Sequence, residues 1–545
     1  MLQYFLLVVF VLIFLVFKCF YSLTFSYNFK IKMNRYLFGN VVNHHEISFE
    51  EIEFLSHNET QEEIDFEKKK PQKWGALLTL VAYATTIGAS VPIGYCLGCV
   101  NSPALFIKSW ANVTLIERYD WHLSQSEIDV LWASIVSILL LGGMIGSLCG
   151  AWVSDKFGRK GAILIAGALL LISAFMFNFC REAKSVELLL IGRFLVGISS
   201  GITYTALPIY LLEIAPPHLR ETLGVFCAVG VTAGIVVGQF FSLHIVFGNE
   251  LLWHYAQSAY GALVVICYLP SAYFPESPKW LYLIKDDAKG ARSSLNRLRE
   301  NDEAQVNAEM LDLEAEANTK VEKSSLWSVI SNPAMTLPLF VICIYQAGQQ
   351  LSGINSIFFY SVPIFMKAGL SANNAELANL GAGCMNLAVS LLGPILMAKF
   401  NRRPMMLISS SFCSFFLIAI ATSLYFIDAA PWVALACIGC IFVFIFFFQF
   451  GLGPMPYFIG AELVEVSPRP VAMSLGSLTS WLCNLTVGMT FPPLNAMIGS
   501  LVFLPFAVAC TIVFFVTFFF VPETRGRDSS QLAPMMANGF KSKIK

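Results

Sequence analysis

Gln346-Ala-Gly-Gln349-Gln350-Leu351-Ser352-Gly353-Ile354-Asn355 lies inside an apolar run long enough to cross a bilayer. It places four carboxamides where hydrocarbon is expected. Each carboxamide offers both donors and an acceptor, and leaving such groups unpaired in lipid is costly. A polar ligand or a water-filled cavity compensates such a cluster, which makes this stretch a candidate transport site. A ligand that itself carries donors and acceptors matches it best, and a sugar is the obvious class. Gln346, Gln349 and Gln350 stand at i, i+3 and i+4 and share one helical face. Asn355 falls about half a turn off that face on an ideal helix. Ser352-Gly353 is therefore expected to break or kink the helix and turn Asn355 back toward the cavity. Discontinuous helices around a midplane site are a habit of secondary transporters.

The surrounding chain agrees. Its 545 residues are 56% hydrophobic and 13% charged, which excludes an ordinary soluble protein. A net charge of -1 argues against a nucleic-acid partner. Hydropathy gives twelve core spans, near 76–100, 129–153, 161–180, 187–211, 221–243, 255–274, 335–365, 376–398, 404–427, 432–460, 470–490 and 499–521. The expected divisions are a leader and polar tail at 1–73, a six-helix half at 74–275, a charged linker at 276–333, a second six-helix half at 334–522, and a tail at 523–545. Leu295, Leu298, Met310, Leu311 and Leu313 amid charged neighbours predict amphipathic surface helices in the linker. Residues 1–17 read as a signal anchor, a cleaved signal or an extra span, and Met33 is an alternative start. Lys68-Lys69-Lys70 suits anionic lipid. The 14 cysteines lie mostly in apolar segments, where a thiol behaves as a small hydrophobe. The pairs Cys96/Cys99 and Cys437/Cys440 lack nearby histidines, so no metal or cofactor is expected.

Basic residues set the orientation. Lys156, Arg159 and Lys160 follow span two, Arg220 precedes span five, Lys399, Arg402 and Arg403 follow span eight, and Arg525 and Arg527 follow span twelve. That end is expected to be cytosolic, with the C-terminus on the same side. The loop between spans one and two is then outside, and Asn112-Val113-Thr114 is a candidate glycosylation sequon. The halves repeat: Glu213 and Arg220 recur as Glu462 and Arg469 249 residues later, and Pro275-Glu276 recurs as Pro522-Glu523 247 residues later. Such offsets imply two homologous bundles. Asp155, Arg159, Arg193, Glu213, Arg220, Glu276, Arg402, Glu462, Arg469 and Glu523 are all expected near the cytosolic span ends, where partnered charges would tie the two halves together.

These motifs, with Gly94-Tyr95, Gly192-Arg193-Phe194, Pro275-Glu276-Ser277-Pro278-Lys279, Gly453-Pro454-Met455-Pro456 and Pro522-Glu523-Thr524-Arg525-Gly526-Arg527, cover about residues 75–527. In this order they resemble the sugar porter branch of the major facilitator superfamily, and most of all the animal facilitative hexose transporters. The resemblance implies an all-α membrane protein of twelve core helices in two pseudo-symmetric halves, rocking around a sugar site. It assigns Gln346, Gln349, Gln350, Asn355 and Asn386 to the sugar, Phe359 and Tyr360 to gating aromatics, and the charged motifs to a cytosolic gate. Tyr457 stands where the family has a span-ten tryptophan, and Gln449 where it has a glutamate.

Other departures bear on the substrate. Ala228 replaces a span-five glutamine, Pro92 a span-one glutamine and Ser480 a span-eleven asparagine, so hexose preference is expected to differ. Proton-coupled relatives carry an aspartate where this chain has Cys96, and span one holds no acid or histidine from Ala76 to Val100. Passive facilitation is the resulting expectation, in a plasma membrane and without enzymatic chemistry. The competing readings are a proton-linked symporter, a carrier of another polyol, urate or dehydroascorbate, and a sensor that binds without transport.

Overall fold

The structure is a computed structural model that describes residues 75–541 apart from 217–218, 319–325, 368, 465–466, 526, 528 and 538. The leader and the lysine run lie outside the described residues.

Among the described residues, eight helical stretches are long and apolar enough to span a membrane. Two of them hold two spans each. In Gln125–Phe179 the break falls at Gly158, whose φ of 84° and ψ of 167° are non-helical. In Arg469–Phe520 a 3-10 turn at Gly499–Phe503 separates spans eleven and twelve. Spans six and seven escape a length test because each is broken: Trp253–Ser258 with Tyr260–Tyr268, and Thr336–Leu351 with Ile354–Lys367. The described chain thus makes twelve crossings, the number expected from hydropathy.

Close packing within the first half rests on paired small residues. Gly94 and Gly98 of span one face Gly234 and Gly238 of span five. A Cβ on Gly94 would come within 1.9 Å of the Val231 carbonyl oxygen, and one on Gly234 within 2.1 Å of the Val91 oxygen. Gly142 and Gly146 of span two meet Gly197 and Gly201 of span four in the same way. Such small-residue seams let backbones approach where lipid supplies no hydrophobic drive between helices.

The spans have a basic end and a far end. At the far end, Arg118 donates to the Lys184 carbonyl at 3.2 Å and Tyr119 to Glu187 at 2.6 Å, so the far ends of spans two, three and four lie together. Asn112 sits mid-way along the helix Ala104–Tyr119, with its Oδ1 buried and unpartnered. The expected loop presentation of that sequon is therefore replaced by a half-buried helical site.

At the basic end the linker forms Pro278–Leu283, Ala288–Leu298, Glu303–Asn318 and Leu326–Ile330. Arg299, buried, holds Glu309 at 2.6 and 2.8 Å and donates to the Ile214 carbonyl at 3.0 Å. It pins the linker to the end of span four.

Candidate functional site

Span seven breaks where the sequence predicts. Gly353 has a φ of 77°, and a Cβ there would meet the Phe506 ring at 2.4 Å, so glycine is required both for the left-handed turn and for space. Span ten is broken as well, by a π-turn at Phe448–Leu452 before the short helix Met455–Leu463. The two breaks face each other. Gln346 donates to the Pro456 carbonyl at 3.1 Å, and Gln349 donates to the Gly453 carbonyl. Backbone carbonyls freed by the broken helix are thus satisfied by the amide face of its neighbour.

The rest of the cluster converges from span eleven. Gln350 donates to Gln349 Oε1 at 3.0 Å and to Ser480 at 2.9 Å. Asn355 donates to Gln350 Oε1 at 2.7 Å and to Asn484 Oδ1 at 2.9 Å. Spare capacity remains. Gln346 Oε1 and Asn386 Oδ1 are buried without a hydrogen-bond partner. Gln449 lies beside Gly453, whose Cβ would be 2.7 Å from its Oε1.

A chamber adjoins the cluster. Tyr457 interacts with Gln349 and lies near Tyr204 and Cys227 of the other half, yet it is 52% exposed. On span five, Thr232 reaches Ser390 across the halves at 3.5 Å, while Ala228, one turn nearer the basic end, is exposed. The halves therefore part between these levels, leaving Tyr457 and Ala228 on an open space toward the basic end. At mid-depth, Trp481 donates to Ser147 across the halves at 2.8 Å and stacks edge-on with Tyr204.

The charged motifs form two copies of one device. Arg159 pairs with Glu213 at 3.0 Å and Asp155 at 3.0 Å, and Ser277 donates to Glu213. In the second half, Arg402 pairs with Glu462 at 3.3 Å and Thr524 donates to Glu462. Glu276 accepts the Lys160 and Ser277 backbone N–H groups at 3.0 and 2.8 Å. Glu523 likewise accepts those of Arg402 and Arg403 at 2.9 and 3.2 Å. Each glutamate caps the start of a span, where the helix dipole favours an anion. Burial raises the Glu276 carboxyl above its usual range, and the backbone donors of Lys160, Ser277 and Arg159 oppose that.

Three expectations need correction. These ion pairs do not tie half to half; each closes within its own bundle. Arg193 is not at the basic end. It is buried two turns inside the opposite end of span four, facing Cys96 and Cys99, because the span runs from Val186 there to Ile214 at the linker. Arg220 is exposed and makes no ion pair among the described residues, while Arg469 donates to the Val464 carbonyl at 3.0 and 3.1 Å. Phe359 and Tyr360 lie on the far-end arm of span seven; their side chains are outside the described set.

A model of the sugar (and other) transporter family matches residues 81–536. The chain belongs to that family. It is 33% identical over 469 residues to facilitated glucose transporter member 1 of solute carrier family 2 from Gallus gallus, covering 86% of this chain and 95% of the relative. It is 35% identical to member 3 from Ovis aries, over 82% of this chain and 90% of the relative. Member 5 from Mus musculus is 32% identical, over 85% and 93%. Among solved structures, the partially occluded inward-open form of the xylose transporter XylE from E. coli superposes with a TM-score of 0.69 at 20% identity, over 83% of this chain and 100% of that one. The chain is thus a multi-pass integral membrane protein with the major facilitator fold.

Sequence reasoning missed Asn484 as a partner, and with it Trp481, Gln239 and Asn379. The signal was available: each is a polar or amphipathic group within an apolar span, and Asn379 and Asn386, seven apart, share a face of span eight.

Proposed function

We propose that this protein carries a neutral hexose, such as glucose or fructose, down its gradient by alternating access. The observation that carries the reading is the amide face of broken span seven, set against broken span ten under the exposed Tyr457. Gln346, Gln349, Gln350, Asn355, Asn386, Gln449 and Tyr457 are the sugar-facing set. Donors and acceptors that now satisfy one another can be exchanged for sugar hydroxyls at modest cost, which suits a carrier that must release its load. With the basic end cytosolic in a plasma membrane, the chamber is open inward and the far end is closed. The relatives named above are facilitated glucose transporters, which supports the same substrate class. Counterflow of labelled hexose in vesicles, measured with and without a proton ionophore, tests the mechanism. Flux unaffected by the ionophore is expected; flux abolished by it contradicts uniport.

One contact favours proton linkage as the second reading. The Glu376 carboxylate is buried and accepts the His244 backbone N–H from the other half at 2.8 Å. A Glu376→Gln variant separates the two. Under uniport it retains hexose flux within about twofold, whereas a proton-linked carrier loses uphill accumulation.

Arg220 has no ionic partner among the described residues with the chamber open inward, so its tie belongs to the opposite state. Arg220→Ala is expected to raise cytosolic-side labelling of a cysteine placed at Ala228. Unchanged labelling would remove Arg220 from the gate.

A further inference from the structure

At the far end the two halves are joined by carboxamides from both sides. Gln239 of span five donates to Asn379 Oδ1 of span eight at 2.9 Å. Asn101, at the end of span one, donates to the Phe358 carbonyl at 3.1 Å and to Ser361 at 2.5 Å, and Ser361 donates to Asn379 Oδ1 at 2.7 Å. All four side chains are 1% exposed. The network is only half used. Gln239 Oε1, Asn379 Nδ2 and Asn101 Oδ1 are buried without a hydrogen-bond partner. Reversing these amides does not lower the count, since each reversed amide strands its other end.

A seal alone does not call for this chemistry. Stranded donors and acceptors destabilise the closed state, and apolar side chains of similar size would close the same gap without that cost. The groups gain a use when the halves part at this end, because every bond named above except Ser361 to Asn379, which lies within the second half, crosses between the halves and is then broken. Asn379 also stands two turns above Asn386 on one face of span eight, and Asn386 carries its own stranded Oδ1. That face thus carries two half-used amides, one at the far end and one two turns deeper.

We infer that Gln239, Asn379 and Asn101 form an outer subsite that binds the hydroxyls of an incoming neutral sugar when the far end is open, and that collapse of these amides onto one another expels it inward and seals the path. The inference rests on the hexose-carrier reading and on the far end being extracellular.

The test uses the full chain in oriented vesicles, with the disaccharide maltose as a probe too large to be carried, competing with labelled hexose from one side at a time. Gln239→Ala and Asn379→Ala are each expected to raise the external inhibition constant of maltose about fivefold, the scale of one lost hydrogen bond, and to leave the internal constant unchanged. Gln349→Ala, in the deeper site, is expected to raise both. A merely structural seal predicts the reverse sign for the outer variants, because weakening it favours the outward-open state and lowers the external constant. An external constant unchanged or lowered in both outer variants overturns the subsite. Wild-type vesicles that neither carry hexose nor respond to maltose overturn the carrier reading itself.

Discussion

Gln349→Ala is expected to lower kcat/KM for hexose uptake at least tenfold with undiminished surface expression. The side chain is 5% exposed, donates to the Gly453 carbonyl in the break of span ten, and contacts Tyr457. Its Oε1 also accepts from Gln350. Truncation therefore removes a proposed sugar ligand, strands a backbone carbonyl and loosens the ring facing the chamber. Two lost hydrogen bonds of about 1 kcal/mol each exceed the roughly 1.4 kcal/mol that corresponds to tenfold. Gln449→Ala is the useful contrast, because Gln449 lies beside the same break without holding span seven. Uptake by Gln349→Ala at wild-type level would mean that the amide face is helix packing alone.

The second large effect concerns stability. Gly158 turns the chain between spans two and three at a φ of 84°, and a Cβ there would lie 2.2 Å from a Glu276 carboxylate oxygen. Gly158→Ala must therefore strain the backbone and displace the carboxylate that caps Lys160 and Ser277. A loss of several kcal/mol is expected, read as a markedly lower midpoint of thermal unfolding in detergent and reduced yield. Gly439→Ala, exposed in the helix Pro431–Phe447 with nothing near its Cβ, is the control and should leave the midpoint unchanged or slightly higher. Equal midpoints for wild type and Gly158→Ala would refute the capping account of Glu276.

The legible part of this fold was written in spacing. Twelve apolar runs, the Ser352-Gly353 break and the Glu213/Glu462 and Glu276/Glu523 repeats follow from hydropathy, glycine and offset, and each has a counterpart in the described structure. What spacing does not encode is which partner a charge selects. Arg159 and Arg402 have acids within reach in their own bundle, so intra-half pairing wins while the chamber is open toward the basic end. Arg193 was misplaced because its motif was grouped with charges that sit at the other end; counting residues from Glu213 along one helix separates them by about 30 Å. The far-end amides escaped notice because a polar residue's place in its own span does not say which residue of another span it meets, and only the assembled bundles bring Gln239 and Asn379 together.

Saturable entry of labelled D-glucose and D-fructose into liposomes holding the purified full chain tests the central claim most directly. The account predicts stereospecific flux of at least one of the two hexoses, sustained without a proton gradient and accelerated by unlabelled sugar on the far side. Sugar binding without any saturable flux would contradict it.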